Sequence, residues 1–146
     1  MERKKEAMNA GFLNTLDYKE IGEVQGKVIY RLNTPLVYYS IKLGRIIEIP
    51  ELFQTDLASV PRVPIAYMMW GDKAHREAVL HDYLFRKNSD PVVAFYLANY
   101  LFKEAMISRG QPVYIYNPMF WGVCLGGKSS YHRMDVMAEF KLDMVY

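Results

Sequence analysis

The chain has 146 residues, 51% of them hydrophobic, 14% aromatic and 23% charged, which is enough apolar mass to close one core without disulfides or a structural metal. Eighteen Lys and Arg against sixteen Asp and Glu leave a formal net charge of +2, too small for the electrostatic footprint of a nucleic-acid binder. The single cysteine, Cys124, excludes an internal disulfide framework and a multi-cysteine zinc site.

The expected organisation is one α+β domain over residues 1–146, a small antiparallel β-meander packed with an antiparallel pair of helices and followed by an irregular C-terminal segment. Residues 1–23 mix charges with Phe12, Leu13, Leu16 and Tyr18, a pattern that suits a short helix or an arm laid on a neighbour. The charged start is not followed by an apolar stretch, so no signal peptide is expected. Residues 24–50 change period: Val28, Tyr30 and Leu32 alternate with their neighbours, and 36–41 and 45–49 form two more β-branched or aromatic runs, together a three-stranded meander. Residues 51–71 hold Pro61 and Pro64, which forbid a regular helix and predict an ordered loop. Across 72–110 two helices are expected. The first is capped by Asp72 and ends at the basic 86–88; the second starts from Ser89, Asp90 and Pro91 and runs along Phe95, Ala98, Phe102 and Met106 to Gly110. Residues 111–146 are expected to be irregular, with a strand or extended loop at 112–116 and an apolar run at 119–125. The most apolar windows, 63–70 and 91–102, fall well short of the roughly 20 residues that span a bilayer, so no membrane span is expected.

Within this frame few residues can carry chemistry. His81 and Asp82 are adjacent on an otherwise apolar helix. Their side chains diverge by about 100°, so they either line one wide cavity or divide between a buried partner and water. His75 lies six residues before His81, the wrong spacing for a zinc-protease helix, and Glu77, one turn before His81, either orients its ring or makes a surface ion pair. Asp56 sits in the proline-bounded loop with Ser59, as a metal ligand or general base, or as part of an Asx or ST turn that satisfies its own backbone. Ser59 lacks a nucleophile elbow. Asn99 interrupts the apolar stripe of the second helix, where it needs a partner such as His81 or Asp56, or reaches water at the stripe edge. Cys124 reads as a small buried hydrophobe and His132 as an exposed loop residue. The twelve tyrosines supply core area or an interface.

Three blocks carry a resemblance: Phe53-Gln54-Thr55-Asp56-Leu57-Ala58-Ser59-Val60-Pro61-Arg62, then Ala78-Val79-Leu80-His81-Asp82-Tyr83-Leu84-Phe85, then Ala98-Asn99 with Phe102, Ala105 and Met106. Together they resemble a phage and prophage family known as domain of unknown function 1353, over about residues 36–123. The resemblance implies a bacteriophage or prophage origin, in the virion or the host cytoplasm, and no established activity. Asp56, Ser59, Pro61, His81, Asp82 and Tyr83 match the family pattern, whereas Asn99 departs from it, because the family more often has an aspartate there. An amide oxygen can still coordinate a hard cation but cannot act as a base.

Two functions follow as expectations. In the first, Asp56, His81 and Asp82 converge in a cleft, hold a divalent metal ion and activate water for hydrolysis of an amide or phosphoester bond. In the second, the same residues, with Ser59, Pro61, Tyr83 and Asn99, form a buried hydrogen-bond network in a virion or assembly protein that contacts protein partners or itself. The enzyme needs a solvent-reaching pocket; the scaffold needs a closed and saturated network.

Overall fold

The structure, a computed structural model, describes residues 9–57, 75–126 and 128–143. Its elements are β1 (Gly11–Phe12), β2 (Tyr18–Val24), β3 (Lys27–Leu32), β4 (Leu36–Ser40), β5 (Arg45–Ile49), β6 (Gln54–Thr55), α1 (His75–Leu84), α2 (Phe95–Ser108), α3 (Val113–Gly126) and a 3₁₀ turn, Lys128–Ser130. The α+β class is as expected. The strands predicted at 28–32, 36–41 and 45–49 are present, but they do not form one meander.

They divide between two antiparallel sheets of three strands, ordered β1-β4-β5 and β2-β3-β6. The break falls at the corner 33–35. There Asn33 gives its N–H to the Asp17 carbonyl at 2.9 Å, and the Asn14 side chain bridges the Pro35 carbonyl and the Val37 N–H. With the chain turned away, the free edge of β3 is taken by β6, Tyr30 opposite Thr55 and Arg31 opposite Gln54. The free edge of β4 is taken by β1. Within the described part of 1–23, residues 11–12 and 18–23 are therefore strand and none is helix: β2 pairs with β3 along its length, with a bulge between Glu20 and Gly22.

In β4 and β5 the period-two pattern does what it predicts. Leu36 and Tyr38 face the core opposite Ile49 and Ile47, and the Tyr38 hydroxyl donates to Glu104 Oε1 on α2 at 2.7 Å. Helix α2 packs between α1 and α3 and against β1 and β4. Its start is later than the sequence suggests: the N-cap is Ala94, without a side-chain cap, and Pro91, after a cis bond, lies outside the helix. The Tyr83 hydroxyl accepts the Asp90 N–H at 2.9 Å and the Tyr131 hydroxyl donates to the Val93 carbonyl at 2.5 Å, which ties down the non-helical link 90–93. The N-cap proposed at Asp72 lies outside the described residues.

The segment expected to be irregular contains a full helix. α3 includes Pro118, which cannot donate to the Tyr114 carbonyl, yet burial of Met119, Phe120 and Val123 outweighs that loss. Residues 131–143 then return across the molecule as a strap. It is tied by the Lys87 N–H to the Met134 carbonyl at 3.0 Å, by the Asp143 N–H to the Glu23 carbonyl at 2.7 Å, and by the Phe140 N–H to Gln54 Oε1 at 2.8 Å.

Candidate functional site

Asp82 is placed by α1 and Thr55 by β6, and the two meet where the helix crosses the end of the second sheet: the Thr55 hydroxyl donates to Asp82 Oδ2. The same hydroxyl oxygen accepts the Leu57 N–H at 2.9 Å, so Thr55 closes a turn of its own at the start of the loop. One helical turn on from Asp82, Arg86 Nη2 reaches its Oδ2 at 3.2 Å. That guanidinium also donates to the Gln54 carbonyl at 2.8 Å and to the Asp135 and Val136 carbonyls of the strap at 2.9 and 3.4 Å. Its carbon lies 4.7 Å from the centre of the Phe53 ring. Arg86 therefore clasps helix, loop and strap from inside.

Burial pushes the Asp82 carboxyl above its ordinary range; the Arg86 charge and the Thr55 hydrogen bond pull it down, and the nearby Asp56 charge adds to the rise. Asp56, half-buried, and Asp82 line the same cleft of about 240 Å³, together with Phe85, Arg86, Ser129, Ser130, Arg133 and Met134.

His81 does not line that cleft. It is 0% exposed, with its ring centre 4.1 Å from that of Phe85 and 5.0 Å from that of Phe102. Its Nε2 donates to Asn99 Oδ1 at 2.8 Å, and Asn99 Nδ2 contacts the Cys124 sulfur at 3.7 Å. Asn99 thus finds its partner in His81 and is not at the water edge. Burial lowers the His81 pKa to about 4, and the Asn99 hydrogen bond opposes this, so the imidazole is neutral at pH 7. Cys124, half-buried, has its thiol pushed up by burial.

The structure thus brings Asp56 and Asp82 together and sets His81 in a second, separate polar pair. Among the described residues no group of three or more His, Cys, Asp and Glu side chains is arranged to hold a metal ion. Ser59 and Pro61 lie outside the described residues. Tyr83 is a latch between α1 and the link to α2, and its ring meets that of Phe53 edge-on with centres 5.9 Å apart.

Glu77 and His132 differ from their sequence reading, and His75 gains a partner the sequence did not name. Glu77 is 0% exposed, not on the surface; it contacts Arg109 Nε at 2.8 Å without the alignment of a hydrogen bond, and burial, against the pull of Arg109, raises its pKa to about 7. His75 is bonded through Nδ1 to the Tyr18 hydroxyl at 2.5 Å. His132 is half-buried with its ring stacked 3.7 Å from that of Tyr131, and its N–H is held by the Phe85 carbonyl at 2.7 Å. The sequence reading missed Thr55 and Arg86. Arg86 stands four residues after Asp82, the spacing of a helical ion pair, and that was the available signal.

Comparison with known proteins matches residues 30–123, more than half of the chain, to the family model described as Protein of unknown function (DUF1353). The match takes in Thr55, Asp56, His81, Asp82, Arg86 and Asn99. No curated protein and no solved structure matches the chain.

Proposed function

This chain belongs to the DUF1353 family of proteins of unknown function, and from the network at its centre we propose that it is a non-enzymatic structural or interaction protein, a virion or assembly component of a bacteriophage or prophage. The observation that carries this reading is the Arg86 guanidinium. It is 3% exposed and spends its donors on one carboxylate and three backbone carbonyls, so the helix block acts as an internal clasp. A charge closed in this way fixes one arrangement of loop, helix and strap, with its Nη donors already taken. His81 fits the same logic, since a neutral imidazole enclosed by two phenylalanines and an amide has no route to a reacting atom.

A second reading is favoured by the cleft that Asp56 and Asp82 share. There the protein is a metal-dependent hydrolase, and the two carboxylates hold a hard divalent cation through oxygen atoms. Such an ion would lower the pKa of a water. His81 is a partner of Asn99 in this reading and not a ligand.

Elemental analysis of tag-free protein, run beside Asp56→Ala and His81→Ala, separates the two. The structural reading expects no stoichiometric metal in the wild type and a loss of stability of about 1–3 kcal/mol in His81→Ala, from the unpaired Asn99 amide. Near-stoichiometric metal that disappears in a folded Asp56→Ala would overturn it in favour of the hydrolase.

A further inference from the structure

We propose that the outer face of α3 is a self-association surface, on which α3 of a second copy of this chain lies antiparallel about a two-fold axis through the middle of the helix. The proposal rests on the interaction reading above for its purpose and on separate residues for its evidence.

Over its fourteen residues α3 carries no Asp, Glu, Lys or Arg. Met119, Phe120 and Val123 take its inner side into the fold. On the opposite side Tyr114, Pro118, Trp121 and Leu125 recur at intervals of four, three and four, which confines them to a stripe about 60° wide on the helix. Tyr114 is 72%, Trp121 60% and Leu125 84% exposed, and Pro118 is exposed beside them. A helix that is apolar on its outer as well as its inner side belongs in a position covered on both, and a contiguous apolar stripe of this size marks a contact surface.

The choice of a second copy comes from the spacing. Four, three, four reads the same in both directions, so antiparallel pairing about the midpoint between Met119 and Phe120 sets Tyr114 opposite Leu125 and Pro118 opposite Trp121, each contact made twice. This is the self-complementarity that a two-fold interface requires. The seam buries no charge, so two chains of the same +2 net charge meet there without desolvating an ion. A wholly buried aromatic side chain contributes 150–250 Å². On that scale the stripe with its flanking Val113 and Tyr96, 54% and 64% exposed, offers roughly 600 Å² per protomer, or about 1,200 Å² in the pair, which reaches the lower bound of a specific interface. The stripe carries no cation to draw it onto anionic lipid, and the lysine of the adjoining helix, Lys103, is folded over the Tyr116 and Phe120 rings at 5.7 and 4.9 Å.

Sedimentation velocity of the full chain over a hundredfold range of micromolar concentration tests the proposal, with Tyr114→Lys, Leu125→Glu and, as a milder change, Trp121→Gln. The wild type is expected to pass from monomer to dimer. Each charged variant alone should stay monomeric with an unchanged circular dichroism spectrum and melting temperature, and Trp121→Gln should weaken the dimer at least tenfold. An equimolar mixture of Tyr114→Lys and Leu125→Glu should dimerise again, because the antiparallel register brings the introduced ammonium against the introduced carboxylate. A wild type that is monomeric throughout overturns the proposal, whether or not it sediments with phosphatidylglycerol vesicles. So does a dimer that the folded variants leave intact, or a mixture that stays monomeric. None of these results touches the internal clasp, which the metal analysis tests by itself.

Discussion

Replacing Arg86 by Met keeps the length and much of the volume of the side chain and removes its charge and all its donors. The structure sets the size of the effect. Asp82 loses its buried counter-charge at 3.2 Å, and the Gln54, Asp135 and Val136 carbonyls lose their shared donor. Breaking a buried ion pair from one side costs about 3–5 kcal/mol, because the remaining charge stays desolvated. With a slope of about 1–3 kcal/mol per molar urea for small proteins, the midpoint of urea unfolding should fall by more than 1 M. The deficit should shrink as pH is lowered. Burial already holds the Asp82 carboxyl above its ordinary range, and without Arg86 it rises further. A group whose folded pKa exceeds its unfolded one costs stability as pH rises through the interval between them, so acid restores what the substitution removes. Adding Asp82→Asn to Arg86→Met should likewise recover part of the loss, a coupling that the double-mutant cycle reads directly. If Arg86→Met costs less than about 1 kcal/mol, the range of an exposed pair, then the guanidinium is solvated and the clasp does not hold the fold.

His81 and Glu77 give opposite pH dependences. The folded His81 titrates at about 4 against an ordinary 6.5, so between those values the unfolded chain binds a proton that the folded one refuses, and stability falls as pH falls, by roughly 3 kcal/mol across the window. Glu77, raised from 4.5 to about 7, keeps its proton when folded and loses it when unfolded, so stability falls as pH rises over that range. In the wild type the two contributions oppose each other between pH 4.5 and 6.5, and the raised Asp82 carboxyl acts in the same direction as Glu77. His81→Phe, which removes only the first contribution, should unfold at a higher midpoint at pH 5 than at pH 7; an unchanged pH profile in this variant would count against the buried imidazole. Gly22→Ala should cost about 1–3 kcal/mol by the local-strain mechanism, since Gly22 has φ of +152° and a Cβ there would meet the Leu142 side chain at 3.2 Å. Hydrogen exchange should show the added opening at the Asp143 amide, and full protection of that amide would refute the account.

Local rules read well where one face of an element meets the core. The alternation in 36–49 gave strands with the right residues inward, because a strand with one buried face has its side chains assigned by a period of two. The α2 stripe gave a helix for the same reason at a period of 3.6, whereas α1 is buried along all of 77–84. Alternation says nothing about which strand lies at each edge, and that is why one meander was expected where two sheets exist: the choice was made by the corner at 33–35 and by β6, whose residues pair with Tyr30 and Arg31, 25 and 23 positions earlier in the chain. α3 was illegible because a run apolar on every side has no period to read.

The blocks around Asp56, His81 and Asp82 were enough to place the chain in its family and to mark those residues as special. What each one touches was decided only by the tertiary structure. Adjacent positions on α1 diverge, and the surroundings differ on the two sides: Phe85, just past the end of α1, with Phe102 and the Asn99 amide of α2 receive His81, while a threonine from β6 and an arginine one turn on receive Asp82. A sequence specifies ionisable groups and their spacing along one element. Their protonation and their partners depend on burial and on chain segments 18 to 50 residues distant, and those exist only once the chain has folded.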